Sequence, residues 1–346
     1  MSEEIESPGP GGGAAAAEPR RLVVPGDSAG TRLDVYLSQA LKVSRAQARR
    51  LLGRGAVSLG GRALTEKDKG GALEAGAEIV VEAWRPPGEW TPQPEPDGGA
   101  APPPVLAEGE GWLVVDKPAG MPVHPLHDGE TGTVLNGVIA AHPEMAGIGE
   151  GGLRCGVVHR LDVWTSGALV VATEEVVWQR LRSAFAEHRV AKRYLALVEG
   201  RLAAPGGGDP EDPFEMELGL VMARHRPAKV RVAKPDEMGG PSVRPVSQTV
   251  RVVKTWRDAS LVEIRPKTGF LHQIRVTLAH LGHPLLGDRT YAKRGGASEA
   301  LAERVGARRH MLHAAEVGVD EVHAVAPLAA DFEACMQTLQ NEEEAG

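Results

Sequence analysis

Asp162 is the acid best placed for chemistry. It lies in a polar stretch containing glycine and hydroxyl residues, Gly156-Val157-Val158-His159-Arg160-Leu161-Asp162-Val163-Trp164-Thr165-Ser166-Gly167, ahead of the apolar run Ala168 to Ala172. A carboxylate beside an arginine and a histidine, on a loop that substrate can reach, has the makings of a nucleophile or a general base. An ordinary turn between buried strands could carry the same His-Arg-x-Asp string, so these residues alone do not decide. A second chemistry is open. The pairs His124/His127, His280/His283 and His310/His313 share a three-residue spacing and, with Asp162 or Asp288, could ligate a hydrolytic zinc. None has the His-Glu-x-x-His form, and the two cysteines, Cys155 and Cys335, make no Cys-x-x-Cys pair.

The chain that must position these groups has 346 residues, enough for one large and one small domain without covalent staples. It has no apolar run of membrane-spanning length, and Met1 to Arg20 lacks the basic and apolar regions of a secretory signal. This reads as a cytoplasmic protein with no membrane partner. A net charge of −7 speaks against a protein that coats nucleic acid over its whole surface, leaving local basic patches to do such work.

The pattern predicts a disordered leader over 1–22 and a small domain over 23–84. In the small domain, Thr31 should cap a helix carrying Leu33, Leu37 and Leu41, and Ser44 with Gln47 forms a capping box for a second helix that stops at Gly53 and Gly55. Lys42, Arg45, Arg49, Arg50 and Arg54 make an acid-free basic run along that second helix. Ala56 to Leu64 reads as a hairpin turning at Gly60-Gly61, and Glu78 to Glu82 as a strand. Proline and glycine mark 85–104 as a linker, a semi-extended tether. A large domain should fill 105–333: a strand from Gly111 to Val115, another from Leu169 to Ala172, a helix capped by Thr173, and a strand from Lys192 to Gly200. Leu202 to Pro213 reads as a loop, Ala223 to Arg231 as a second basic patch, and 334–346 as a tail whose acidic end, Gln340 to Gly346, is expected to be disordered.

Taken whole, His-Arg-Leu-Asp-x-x-Thr-Ser-Gly (159–167) resembles the signature loop of the RluA-type pseudouridine synthases, which isomerise uridine in structured RNA. Asp116-Lys117-Pro118-x-Gly120-x-x-Val123-His124-Pro125, Lys192-Arg193-Tyr194 and Thr268-Gly269-x-x-His272-Gln273-Ile274-Arg275 followed by His280-Leu281-Gly282-His283-Pro284-x-x-Gly287-Asp288 are similar to further motifs of that family. Arg309 to Ala314 and Ala326 to Phe332 resemble its closing strands. Thr31 to Val81 resembles the small RNA-binding domain first described in ribosomal protein S-four, which implies that Arg45, Arg49, Arg50 and Arg54 contact RNA.

The implied fold is α+β: a long mixed, largely antiparallel sheet flanked by helices, preceded by a small α/β RNA-binding domain. The implied catalytic residue is Asp162, as nucleophile or base. Arg275 would be its cationic partner, Arg160 would fill the space left by a flipped uridine, Tyr194 would cover the base, and His159, Thr165 and His272 would complete the substrate site. The isomerisation needs no outside atom or electron, so no cofactor and no metal are expected. The partner is RNA, ribosomal first and transfer RNA second, acted on by a monomer. Two departures bear on substrate preference: Phe270 where arginine is common in the family, and Val163-Trp164 where charged residues are commoner. The alternatives are a non-catalytic RNA-binding or ribosome-assembly protein and a metal-dependent hydrolase.

Overall fold

The computed structural model describes residues 19–82, 84–86, 89–204, 212–225, 227–293 and 295–345. Contacts divide the chain into two units between Trp90 and Thr91.

The first unit holds β1 (Arg20–Val23), α1 (Leu33–Ala40), α2 (Arg45–Gly53), β2 (Val57–Leu59), β3 (Arg62–Ala63) and β4 (Glu78–Val81). Its antiparallel sheet has the order β1-β4-β2-β3. The expected capping box is present: Ser44 Oγ accepts from Gln47 N at 3.2 Å, and Gln47 Oε1 accepts from Ser44 N at 2.7 Å. The hairpin turns at Gly60 (φ 54°) and Gly61 (φ 79°), the double positive φ that suits the twist of a two-residue turn. Two expectations need correction. The α1 cap is Arg32, with no side-chain cap bond, because Asp34 is drawn into an arginine cluster. The leader overlaps β1, since Arg20 to Leu22 pair with Val81 to Ile79; residues 1–18 lie outside the described residues.

The second unit contains β5 (Val105–Gly109), β6 (Trp112–Lys117), α3 (Val134–Ala141), β7 (Ser166–Ala172), α4 (Glu175–Ala186), β8 (Ala191–Glu199), β9 (Phe214–His225), β10 (Ala228–Val232), β11 (Arg244–Thr255), β12 (Ala259–Pro266), α5 (Gln273–His280), α6 (Ala297–Val305), β13 (Leu312–Val319), β14 (Val322–Val325) and α7 (Ala330–Ala345). Ten strands form one sheet in the order β10-β9-β11-β12-β8-β13-β7-β6-β5, with β14 on β13. Its one parallel step among the described residues is β13 on β7. There Gly167 faces Ala314, and a Cβ at Gly167 would lie 2.2 Å from the Ala314 carbonyl oxygen, so only glycine permits the approach. All of β7 is buried because both faces are covered. Ala168, Val170 and Ala172 pack with Leu181 and Ala184 of α4, while Leu169 and Val171 pack with Leu135 and Val138 of α3.

Three boundaries differ from the sequence reading. The later part of the segment 85–104 is tied to the second unit: the Gln93 carbonyl accepts from buried Asn136 at 2.6 Å and the Pro104 carbonyl from Asp116 N at 2.8 Å, while Trp90 donates to the Arg85 carbonyl at 2.7 Å within the segment. Thr173 does not cap α4; Glu174 holds that position. The expected disordered tail is instead α7, and Ala326 to Phe332 lead into it without forming a strand. Phe332, Cys335, Met336 and Leu339, at helical spacing, pack against Trp256 and Met311, and the apolar surface they bury outweighs the acidic composition. Part of the expected loop 202–213 (205–211) and Arg226 of the second basic patch lie outside the described residues.

Candidate active site

The loop before β7 is clamped from beneath. Lys117, fully buried at the end of β6, donates to the carbonyls of Pro118, Met121 and Val163 at 2.8–2.9 Å. Burial first, and the Arg309 charge second, push the Lys117 pKa down to about 7. Gly120 N donates to the same Val163 carbonyl at 2.8 Å. From the other side Arg309 donates to the Trp164 carbonyl (2.9 Å) and to Ser166 Oγ (3.1 Å), while a bidentate pair with Asp331 (2.6 and 2.8 Å) holds its guanidinium. Inside the loop, Thr165 N donates to the Asp162 carbonyl at 3.0 Å, a turn that lifts the Asp162 side chain.

That carboxylate keeps 21% of its side-chain surface exposed, and its Oδ2 lies 2.9 Å from Arg275 Nη1. Arg275, on α5, is buried and bound on its other edge by Asp288: Nε to Oδ2 at 2.7 Å and Nη2 to Oδ1 at 2.9 Å. Asp288 is itself buried and accepts from Thr290 N at 2.9 Å and Tyr291 N at 3.3 Å. Burial alone would raise its pKa, but the Arg275 hydrogen bonds and charge outweigh burial and lower it. Three N–H groups of Arg275 are thus directed: two, along one edge, to a buried carboxylate and one to an accessible one. His272 Nε2 is 3.8 Å from Asp162 Oδ2. Tyr194 on β8 is largely enclosed; burial, with the Asp162 charge second, raises its pKa. Arg160 is exposed, and no hydrogen bond or ion pair engages its guanidinium among the described residues.

The structure therefore gathers Asp162, Arg275, His272 and Tyr194, with Arg160 at the surface beside them. It removes two sequence candidates from the substrate side. His159 turns inward, accepting from Val170 N at 3.0 Å and stacking on Phe185 at 4.4 Å between ring centroids. Burial pushes its pKa down to about 3, so it is a neutral structural acceptor. Thr165 is buried, its hydroxyl bonded to His310 Nε2 at 3.0 Å. The paired histidines go to separate partners: His310 to Thr165, His313 Nδ1 to Ser166 at 3.0 Å, and His283 Nδ1 to the Glu199 carbonyl at 2.7 Å. Among the described residues no three His, Cys, Asp or Glu side chains converge as metal ligands. Phe270 packs beside Val230, Val246 and Val276, while Trp164 is exposed with its ring over Gly120.

Sequence reasoning assigned no role to Arg309 or Tyr291 and treated Asp288 only as a possible metal ligand. The one available signal was that Asp288 closes the second half of a matched motif, thirteen positions from Arg275 in the chain and bonded to it in space.

Residues 111–280 match the RNA pseudouridylate synthase family. An uncharacterized RNA pseudouridine synthase of Chloroflexus aurantiacus is 35% identical, covering 94% of this chain and 95% of its own. Ribosomal large subunit pseudouridine synthase D of Xanthomonas campestris is 31% identical over 93% of both chains. The solved human structures RNA pseudouridylate synthase domain containing 4 and domain containing 1 share the fold, with TM-scores of 0.53 and 0.51 at 22% and 23% identity. They cover 68% and 70% of this chain and 92% and 95% of their own. The chain belongs to the RNA pseudouridine synthase family, and its reaction is the isomerisation of uridine to pseudouridine in RNA.

Proposed function

We propose that Asp162 carries this isomerisation, attacking or deprotonating the ribose of a uridine in large-subunit ribosomal RNA. The observation that supports it is the asymmetric arginine bridge: Arg275 is locked on buried Asp288 by one edge and offers an Nη1–H to the accessible Asp162 at 2.9 Å. The C1′–N1 bond breaks, the base rotates, C1′–C5 forms, and the C5 proton leaves as N1 gains one. A positioned carboxylate starts this sequence, and no electron or outside group enters. The target base must leave its stack, at a cost of a few kcal/mol. Unpaired Arg160 fills the gap and Tyr194 covers the extruded base. The first unit adds sequence-independent grip on phosphate through the α2 arginines.

Several full-length relatives bear the large-subunit name, which supports ribosomal RNA over transfer RNA. A cytoplasmic monomer working without cofactor fits this chemistry. The test is tritium release from unmodified large-subunit RNA transcripts labelled at uridine C5, with and without chelator, beside labelled transfer RNA. Release from the ribosomal transcript, insensitive to chelator, is expected. Release only from transfer RNA would move the target, and loss to chelator with recovery on zinc would overturn the metal-free mechanism.

A further inference from the structure

Tyr291 lies between the β9–β10 hairpin and the reaction centre. Its hydroxyl accepts from Val230 N of β10 at 3.0 Å and is hydrogen-bonded to His272 Nδ1 at 2.9 Å. Its ring faces Arg275, the guanidinium carbon 5.3 Å from the centroid, and meets the His272 ring edge-on at 5.7 Å. A phenol has one proton to give. Val230 N–H is a fixed donor, so that contact uses the oxygen as acceptor and leaves the O–H for His272. Were His272 Nδ1 also protonated, the hydroxyl would face two donors, and its own proton would have no acceptor among the contacts shown. The satisfied arrangement makes Nδ1 the acceptor and puts the imidazole proton on Nε2, the nitrogen nearest Asp162.

At 3.8 Å from Asp162 Oδ2, that N–H is beyond hydrogen-bond distance, and no other partner engages it among the described residues. The charges around the ring are Asp162, Arg275, Asp288 and Arg160; burial comes first among the influences and lowers the His272 pKa, so the ring is neutral at pH 7. The backbone adds an independent sign. His272 has φ 54° at the N-cap of α5, a left-handed conformation that residues other than glycine rarely adopt. The fold holds this strained backbone at the residue whose ring faces both Tyr291 and Asp162.

We propose that Tyr291 is a positioning residue that fixes the His272 tautomer, so that His272 presents Nε2–H beside Asp162 to an oxygen of the flipped uridine. The inference rests on the isomerase reading, and it gives the β10 backbone a direct line to the reaction centre through one hydroxyl.

The test uses the full chain labelled with ¹⁵N-histidine, together with Tyr291→Phe, which keeps the ring over Arg275 but removes the hydroxyl. His272 signals are identified by their loss in His272→Asn, asparagine being a residue that tolerates the left-handed backbone. Wild type should show an unprotonated Nδ1 and a protonated Nε2 for His272, and Tyr291→Phe should shift it toward a tautomer mixture. With the C5-tritiated large-subunit transcript, Tyr291→Phe should lower turnover at saturating RNA about tenfold with KM little changed, as for an interaction made in the transition state. Combining it with His272→Asn should cost nothing beyond His272→Asn alone. A protonated Nδ1 in wild type, full turnover in Tyr291→Phe, or additive losses in the double variant would each overturn the proposal. Should wild type make no pseudouridine, the isomerase reading fails, while the nitrogen shifts, assigned through His272→Asn, still decide the tautomer and need no turnover.

Discussion

Two clusters in this protein are built from the same parts, aspartate and arginine, with opposite results. In the first unit, Asp34 is fully buried and receives Arg32 (3.2 Å), Arg45 (3.1 Å) and Arg49 (2.6 Å), whose side chains stay 51%, 51% and 37% exposed. Burial alone would raise the Asp34 pKa; hydrogen bonds from Arg32, Arg49 and Arg45 overcome it and hold the carboxyl well below the usual range. Three guanidinium groups on one carboxylate leave two positive charges in excess, on the solvent side. In the second unit the arginine is the buried member, 7% exposed, and two carboxylates share it, one of them accessible. That leaves one negative charge in excess, at Asp162. A surplus of outward cations suits phosphate, and a surplus of accessible carboxylate suits attack or proton abstraction; the ratio and the choice of buried partner set the use.

The largest effect should come from removing the accessible charge. Asp162→Asn is expected to lower tritium release by about a thousandfold or more while RNA binding and melting temperature stay near wild type, because binding rests on phosphate contacts. Appreciable turnover in this variant would make the two clusters equivalent scaffolds.

Next in size is Arg275→Ala, which leaves Asp162 and buried Asp288 facing each other with no cation. Turnover should fall by roughly a hundredfold, and stability by on the order of 3 kcal/mol, the cost of an uncompensated buried charge. Arg275→Lys should recover only part, since an ammonium lacks the planar fork that pairs with both oxygens of Asp288 while reaching Asp162. Full turnover in the lysine variant would show that the fork is not used.

A third expectation separates the units by acid response. In the second unit burial, first among the causes, pushes the pKa of His124, His310 and His313 down to about 4 and that of His159 to about 3. The unfolded chain protonates these rings near pH 6.5, so between about pH 6.5 and 4 it binds more protons than the folded protein, and stability falls as pH drops through that window. The first unit has no histidine, and the contribution of Asp34, whose folded pKa is depressed, is lost only below its unfolded value near pH 4. Calorimetry of the full chain from pH 7 to 4.5 should show the large unit's transition moving down while the small unit's holds. Parallel movement of both would contradict the assignment.

The smallest effect concerns the Asp34 cluster. Arg45→Ala with Arg49→Ala should weaken RNA binding several-fold at low salt and flatten the slope of log K against log salt by about one to two, with turnover at saturating RNA unchanged. An unchanged slope would mean that Asp34 neutralises these arginines fully and that phosphate is held elsewhere.

Much of the local structure was legible because its causes lie within a few residues. The Ser44/Gln47 box, the Gly60-Gly61 turn and the buried β7 run each follow from adjacent side chains. The site was legible in part: Asp162, Arg275, His272 and Tyr194 come together, whereas His159 and Thr165 differ from them in nothing that the motif displays. Which way a loop side chain turns depends on what packs beneath it, here Phe185 and His310, 26 and 145 positions away in the chain. The tail was misread for a related reason, since an acidic composition signals disorder only when no apolar stripe finds a partner.

By itself the amino-acid order determined most of the elements, because periodicity and caps are written along the chain. It also carried the motifs whose resemblance to a family implied the kind of reaction; functional-group types alone left a nucleophile, a base and a zinc ligand all open. Tertiary structure alone decided that Arg275 divides its fork between Asp162 and Asp288, that Arg309 and Lys117 clamp the loop, that Asp34 gathers the α2 arginines, and that Tyr291 stands against His272. The reason is physical: a charge or hydrogen-bonding group in low dielectric is defined by its partners and its exposure, and both come from surfaces brought together only when the sheet is assembled.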